Sequence, residues 1–198
     1  REVSPDVIRV FANHNYEHII DLEPVKTIEA DAAKELAGLK QNIYLGILEL
    51  PYAVAEALSS YKGGSYSYQR CIYLPNLKSI SPESAQALSK VNAELDIRGL
   101  ERLDSAAAKE LLKHKKLNLI LDKLIELDSE TARELCANYK TKYGLYLNGL
   151  KHLSRETAVE LRSLNTNLFI KLEGLSEISD EAAYELSQRN GELNLSSM

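Results

Sequence analysis

The chain has 198 residues, of which 44% are hydrophobic and 27% charged, and its net charge is −5. This composition is that of an ordinary globular or repeat domain, and no stretch approaches the ~20 consecutive apolar residues of a membrane-spanning helix. The interspersed charges leave no broad basic surface for nucleic acid, and two cysteines are too few for a disulfide scaffold. No signal peptide is visible. The sequence leaves the compartment open, with a cytoplasmic location slightly favoured.

Residues 1–18 are predicted to form the helix of an incomplete leading repeat, followed by a link. Residues 3–11 (VSPDVIRVF) align with residues 80–88 (ISPESAQAL), which share the same Ser-Pro helix start. The link, HNYEH from His14 to His18, matches an inverted zinc-protease motif. Zinc binding would need a helix that places both histidines on one face, with a third ligand downstream. We therefore interpret the motif as a polar link and expect neither a metal site nor a cofactor.

One phrase recurs seven times between residues 19 and 192. It reads [LI]-x-L-x-x-[LV]-x-x-[LI]-[SD]-x-x-x-A-x-x-L, and the distance between copies runs from 23 residues (Ile20 to Ile43) to 29 residues (Ile43 to Ile72). The first apolar residues of the copies are Ile20, Ile43, Ile72, Leu95, Leu119, Leu145 and Ile170. Residues 193–198 are predicted to be the strand of an incomplete trailing repeat. Repeats of this length indicate one repeat domain over residues 1–198.

Each copy is predicted to contain one strand and one helix. The L-x-L alternation has period two and places both leucines on one face of a strand. Three copies follow it with a glycine, at which a positive φ is easily adopted: Gly99, Gly149 and Gly174. Five copies then offer an N-cap residue for a helix: Ser81, Asp104, Asp128, Ser154 and Ser179. Alanine and leucine three residues apart, such as Ala158 and Leu161, form a narrow apolar stripe on the helix.

A single strand–helix unit cannot bury its own apolar face, but stacked units can. We therefore predict an α/β solenoid, curved like a horseshoe, with a parallel sheet on the concave side and helices on the convex side. In its repeat length and L-x-L strand the chain resembles the leucine-rich-repeat family. It departs from that family where an asparagine or cysteine is usual, and is most similar to the divergent strand–helix arrays of bacterial proteins. The replacing residues are Val25, Leu48, Leu77, Leu100, Leu124, Leu150 and Leu175.

The resemblance implies a binding scaffold, and the variable strand positions suggest where a ligand binds. The row between the two strand leucines is expected to face the concave side, and Ile120 is its member in the fifth copy. The concave binding residues we predict are Tyr44, Tyr73, Asp96, Arg98, Tyr146, Asn148, Lys171 and Glu173. The long join at residues 59–70 is a second candidate, through Tyr61, Tyr66 and Tyr68. Two simpler readings stay open: tyrosine suits strands generally, and the join is also compatible with a tolerated insertion.

The expected function is a non-enzymatic scaffold that binds a protein or peptide on the concave strand face. No G-x-S-x-G, P-loop or G-x-G-x-x-G motif occurs, and His114 and His152 are expected to be exposed loop residues of separate repeats. One alternative is a recognition or targeting segment of a larger enzyme or signalling protein. Another is a structural array that self-associates through its open ends.

Overall fold

The structure is a computed structural model that describes residues 2–13, 19–62, 71–139, 144–164 and 167–195. These residues form an α/β fold with eight helices and ten strands. The helices are α1 (Pro5–Asn13), α2 (Ala30–Ala37), α3 (Tyr52–Leu58), α4 (Pro82–Leu88), α5 (Ser105–Leu111), α6 (Ser129–Asn138), α7 (Arg155–Arg162) and α8 (Asp180–Ser187). The strands are β1 (Glu2–Val3), β2 (Ile19–Leu22), β3 (Thr27–Ile28), β4 (Asn42–Leu45), β5 (Cys71–Leu74), β6 (Glu94–Ile97), β7 (Leu117–Leu119), β8 (Leu145–Tyr146), β9 (Ile170–Lys171) and β10 (Leu193–Asn194).

The main sheet has five parallel strands in the order β2-β4-β5-β6-β7. A three-stranded parallel sheet has the order β10-β9-β8, and β1 pairs with β3. In the five-stranded and three-stranded sheets the order follows the chain because one helix lies between each strand and the next, as the repeat phrase predicts. The α/β class with a parallel sheet is thus confirmed.

The register between β6 and β7 differs from the predicted one. Leu95 lies opposite Leu117 and Ile97 lies opposite Leu119, so the pairing of β7 is shifted by two residues from the one that the marker Leu119 predicts. Residues 117–121 read Leu-Asn-Leu-Ile-Leu and contain the L-x-L pattern twice. A shift of two residues keeps the same side chains facing the core, so the pattern alone does not choose between the two frames.

The five-stranded sheet carries two alternating rows of side chains. One row is buried among the helices and includes Ile20, Ile43 and Ile72. The other row defines what we call the strand face: Asp21, Tyr44, Tyr73, Asp96 and Asn118, each opposite the next. Asn118, not Ile120, therefore occupies this row in β7.

The helices begin where the sequence predicts and pack in chain order, each against the next. All five predicted N-cap side chains accept a hydrogen bond from the amide three residues on, for example Asp104 from Ala107 at 2.7 Å. Glu29, which stands at the cap of α2, makes no such bond with its side chain. The helical alanine–leucine stripe is buried in the same core as the strand leucines, and Ala158 and Leu161 have no exposed surface.

Backbone hydrogen bonds between successive turns satisfy the turn backbone, for which the sequence offers no asparagine ladder. The amide of Lys78 donates to the carbonyl of Leu48 at 3.0 Å. The amide of Glu101 donates to Lys78 at 2.8 Å, and that of Ile125 donates to Glu101 at 3.1 Å. Each of these amides belongs to the residue directly after a buried turn residue such as Leu100. The turns therefore form a ladder of their own beside the sheet.

The glycines after the strands are required for close approach of two turns and not for a positive φ, which none of them adopts. A Cβ on Gly99 would lie 2.6 Å from the carbonyl oxygen of Pro75 in the preceding turn. A Cβ on Gly174 would lie 1.8 Å from the carbonyl oxygen of Asn148. The glycines thus allow neighbouring turns to pack backbone against backbone. The predicted reason for glycine at these positions, a positive φ, is wrong.

The pairing of successive strands is interrupted between β7 and β8: no strand pairing joins them in the part of the chain that the structure describes. The turns still meet across this break. Asn148 donates from Nδ2 to Oδ1 of Asp122 at 2.8 Å, and a Cβ on Gly149 would lie 2.6 Å from the carbonyl oxygen of Leu124. Helix α6 also packs against α7 across the interruption.

Candidate functional site

The strand face is centred on two stacked aromatic rings. Tyr44 and Tyr73 lie opposite each other on β4 and β5, and their ring centroids are 4.4 Å apart with an angle of 20° between the planes. This distance is close to the spacing of neighbouring strands, ~4.8 Å, so the register itself produces the stack. Both side chains are half-buried, which leaves aromatic surface accessible at the middle of the sheet.

An arginine is held beside this pair by a buried carboxylate. Asp96 is 6% exposed and accepts two hydrogen bonds from Arg98, from Nε at 2.6 Å and from Nη2 at 2.7 Å. Asn118 donates to Oδ2 of the same carboxylate at 2.7 Å. Hydrogen bonding to Asp96 raises the pKa of Arg98, whose side chain stays 53% exposed. Asp96 therefore orients Arg98 and does not offer its own carboxylate to a ligand, contrary to its predicted role as a contact residue.

Cys71 and Tyr73 lie on the same face of β5 and are both uncharged at neutral pH. Burial raises the pKa of the Cys71 thiol to about 12 and that of the Tyr73 phenol to about 12. A thiol with so high a pKa is a poor nucleophile because the reactive form is the thiolate. The chemistry of this surface is that of hydrogen bonding and stacking.

The other predicted strand residues form a second cluster on the three-stranded sheet. The ammonium of Lys171 lies 5.6 Å from the ring centroid of Tyr146 and 3.6 Å from the carboxylate of Glu173. Asn148 also accepts a hydrogen bond from the amide of Glu173 at 3.1 Å. Phe169, which the sequence pattern did not single out, meets the ring of Tyr146 edge-on at 5.3 Å.

The two clusters lie on different sheets, the first on the five-stranded sheet and the second on the three-stranded sheet. Asn148 bonds to the turns on both of its sides, at Asp122 and at Glu173, and this makes it a structural link between repeats.

The long join does not contribute Tyr61 to a binding surface. Its side chain is fully buried, and its hydroxyl donates to the carbonyl of Gln41 at 2.6 Å. Tyr61 is therefore a core residue, and its prediction as an adaptable contact is wrong. The prediction for Tyr66 and Tyr68 falls outside the described residues.

Of the two histidines predicted to be exposed, one is exposed and the other is buried. His152 is exposed, as expected, and lies 3.2 Å from the carboxylate of Glu177. His114 is buried, contrary to expectation, and its Nδ1 accepts a hydrogen bond from the amide of Lys116 at 3.1 Å. His14 and His18 lie outside the described residues. Among the residues that are described, no three side chains of the metal-binding types come together.

Sequence reasoning missed Asn118, which completes the Asp96 network. The signal was present, because Asn118 is the middle residue of an L-x-L triplet, but the overlapping triplet centred on Ile120 concealed it. Only the hydrogen bonds between β6 and β7 identify the correct frame.

The comparisons with known proteins identify no family for this chain. No protein-family model matches the chain, and a search of curated proteins found no match. In the described part of the chain, no helix has the length and apolarity needed to cross a bilayer.

Proposed function

We propose that the protein is a non-enzymatic interaction module, built as a leucine-rich-repeat-like solenoid, that binds a protein or peptide on its strand face. The backbone ladder between turns supports the solenoid, because the same contact recurs between neighbouring turns from Lys26 to Ile125 and again between Lys151 and Ser176. In a solenoid the strand face would be the concave surface. The ligand would lie across the strands and contact several repeats at once.

The observation that carries the proposal is the stacked pair Tyr44–Tyr73 with the oriented guanidinium of Arg98 beside it. Tyrosine and arginine are the residues most enriched among strong contacts in protein interfaces. The stack and the Asp96 carboxylate restrict the rotamers of these side chains in the free protein, so binding loses little side-chain entropy. The raised pKa of Cys71 supports a binding role over nucleophilic catalysis.

The test is a selection of random peptides displayed on phage against the immobilised protein, followed by titration calorimetry of the enriched sequences. We expect Tyr73→Ala and Arg98→Gln each to weaken binding by more than about 2 kcal/mol, roughly thirtyfold. Arg98→Gln is preferred to a change at Asp96, since Asn118 continues to bond to the carboxylate when Arg98 is replaced. Thermal unfolding of Tyr73→Ala should change little, whereas Arg98→Gln should unfold at a lower temperature because the buried Asp96 carboxylate loses its charged partner.

The matched controls are Lys109→Ala on α5 and Arg133→Ala on α6, both exposed. These helix variants should bind the selected peptides like the unmodified protein. Peptides that lose affinity for the helix variants and keep it for the strand variants would contradict the proposal. Failure to enrich any peptide in repeated selections would also count against it.

A further inference from the structure

We infer that the strand face contains a site for an arginine side chain of the partner, on the face of Tyr44 that is turned away from Tyr73. This inference rests on the proposed function and names the chemistry of its ligand. The site is bordered by Asp21 and Glu23 at the β2 edge of the five-stranded sheet.

The register of the sheet leaves space for the arginine side chain between Tyr44 and β2. The stacking of Tyr44 on Tyr73 places both rings roughly perpendicular to the direction that runs from strand to strand. The second face of Tyr44 is therefore turned toward β2, where the residue directly opposite is Asp21. An aspartate is too short to cover a tyrosine ring, and one strand spacing of ~4.8 Å is wide enough for one further planar group. Within the part of the chain that the structure describes, the stack is thus open on this side.

The charges around the opening are acidic. Asp21 and Glu23 are exposed, and neither forms an ion pair within the described residues. Oδ1 of Asp21 accepts the amide of Glu23 at 2.9 Å, which orients the carboxylate and leaves Oδ2 available. The ammonium of Lys26 on the same turn donates to the carbonyls of Glu23 and Gly46, at 3.2 and 3.5 Å. The carboxylates therefore present negative charge beside an accessible aromatic face.

Guanidinium is the group that fits both features. It is planar, so it can stack on the Tyr44 ring, and its N–H groups can reach a carboxylate at the edge of the ring. A lysine ammonium can satisfy the charge but cannot extend the stack. Ile19, which is 49% exposed on the same strand face, adds apolar surface for the methylene groups of the arginine. We therefore expect the site to prefer arginine to lysine.

The experiment uses the full 198-residue chain labelled with ¹⁵N, titrated with N-acetyl-arginine methylamide and with its lysine analogue. We expect shifts of the amide signals of residues 19–23 and 42–46 that saturate with a dissociation constant on the order of millimolar. The arginine probe should bind roughly fivefold more tightly than the lysine probe. Asp21→Asn should weaken the arginine probe at least about threefold. Asparagine keeps an oxygen for the amide of Glu23, so the turn should be preserved.

Asp31→Asn, at an exposed position of α2, is the matched control and should leave the titration unchanged. Tyr44→Leu should remove the preference for arginine over lysine. Equal binding of the two probes, or an Asp21→Asn protein that binds like the unmodified one, would overturn the inference. This result is distinguishable from failure of the proposed function, because selected peptides that depend on Tyr73 and Arg98 but contain no required arginine would refute the site alone.

Discussion

Ser84 and Thr157 are buried hydroxyl residues that bond to the repeat preceding their own. Ser84 donates to the carbonyl of Leu50 at 2.8 Å, and Thr157 donates to that of Leu127 at 3.0 Å. Their backbone amides meanwhile donate to the N-cap side chains of α4 and α7. A buried carbonyl without such a partner would cost about 1–3 kcal/mol. Each of these residues therefore bonds to the N-cap of its own helix and also joins two neighbouring repeats.

Glu185 has a similar linking role through charge. Its side chain is 8% exposed and accepts from Arg162 on α7 at 2.6 Å and from Arg155 on α7 at 3.2 Å. A buried carboxylate is stable only when it is paired, and here both partners come from the neighbouring helix. Polar burial in this protein thus occurs where one repeat meets another.

His114 is a buried polar residue whose pKa is lowered in the folded protein. Burial lowers its pKa from the ordinary value of about 6.5, and the positive charge of Lys116 lowers it further. The neutral ring also accepts the amide of Lys116 at Nδ1, and protonation there removes that acceptor. The neutral form is therefore favoured in the folded state. Its stabilising effect is present above about pH 6.5 and is lost as the pH falls toward the lowered pKa.

We predict that His114→Gln flattens the pH dependence of stability below about pH 6.5, by up to about 1.4 kcal/mol per pH unit. The measurement is urea unfolding of the variant and the unmodified protein at several values between about pH 5 and 7.5. His152→Gln, which replaces an exposed imidazole, is the control for the substitution of a histidine by glutamine. Parallel slopes for His114→Gln and the unmodified protein would show that His114 is not the titrating group.

At the scale of the elements, sequence reasoning predicted the helix starts and the order of the strands. It succeeded because caps and apolar stripes are local: Asp128 bonds to an amide three residues away, and Ala132 and Leu135 share one helix face. It failed at Leu117, where two frames of the same alternation overlap, because register depends on the neighbouring strand. The burial of Tyr61 was missed for the same reason, since its partner Gln41 lies 20 residues earlier.

The turns depend on glycine for packing, and this gives a prediction. Gly99→Ala should lower the free energy of unfolding by about 1–3 kcal/mol, because the new Cβ would lie 2.6 Å from the carbonyl oxygen of Pro75 and 2.8 Å from that of Leu77. Both atoms belong to the backbone of the preceding turn. Denaturant unfolding of the purified variant measures the change.

Gly38→Ala is the control for Gly99→Ala. Gly38 ends α2 with φ −78°, and a Cβ there would lie 3.3 Å from the carbonyl oxygen of Glu35. Alanine can adopt this conformation, so the change in stability should stay below about 1 kcal/mol. Equal costs for the two variants would mean that loss of glycine itself, and not contact between turns, determines the effect.

At the scale of the whole molecule, the interruption between β7 and β8 does not divide the core. One cluster of buried side chains extends from Ile8 to Leu186 and includes residues of both sheets. The helices continue through α6 and α7, and the Asn148–Asp122 hydrogen bond joins the turns on either side. Since apolar burial supplies most of the stabilisation of a fold, we expect the two sheets to unfold together.

The corresponding prediction uses Leu161→Ala in α7 and Leu88→Ala in α4, two fully buried leucines on opposite sides of the interruption. Each should lower the free energy of unfolding by about 2–5 kcal/mol, as core truncations do. Hydrogen exchange followed by mass spectrometry should then show that Leu161→Ala reduces protection in β4 and β5 as much as in β8 and β9. This follows because a single cooperative unit opens as a whole and every core amide reports the same free energy. Loss of protection confined to residues 144–164 and 167–195 would instead show that the molecule consists of two units that unfold separately at the β7–β8 interruption.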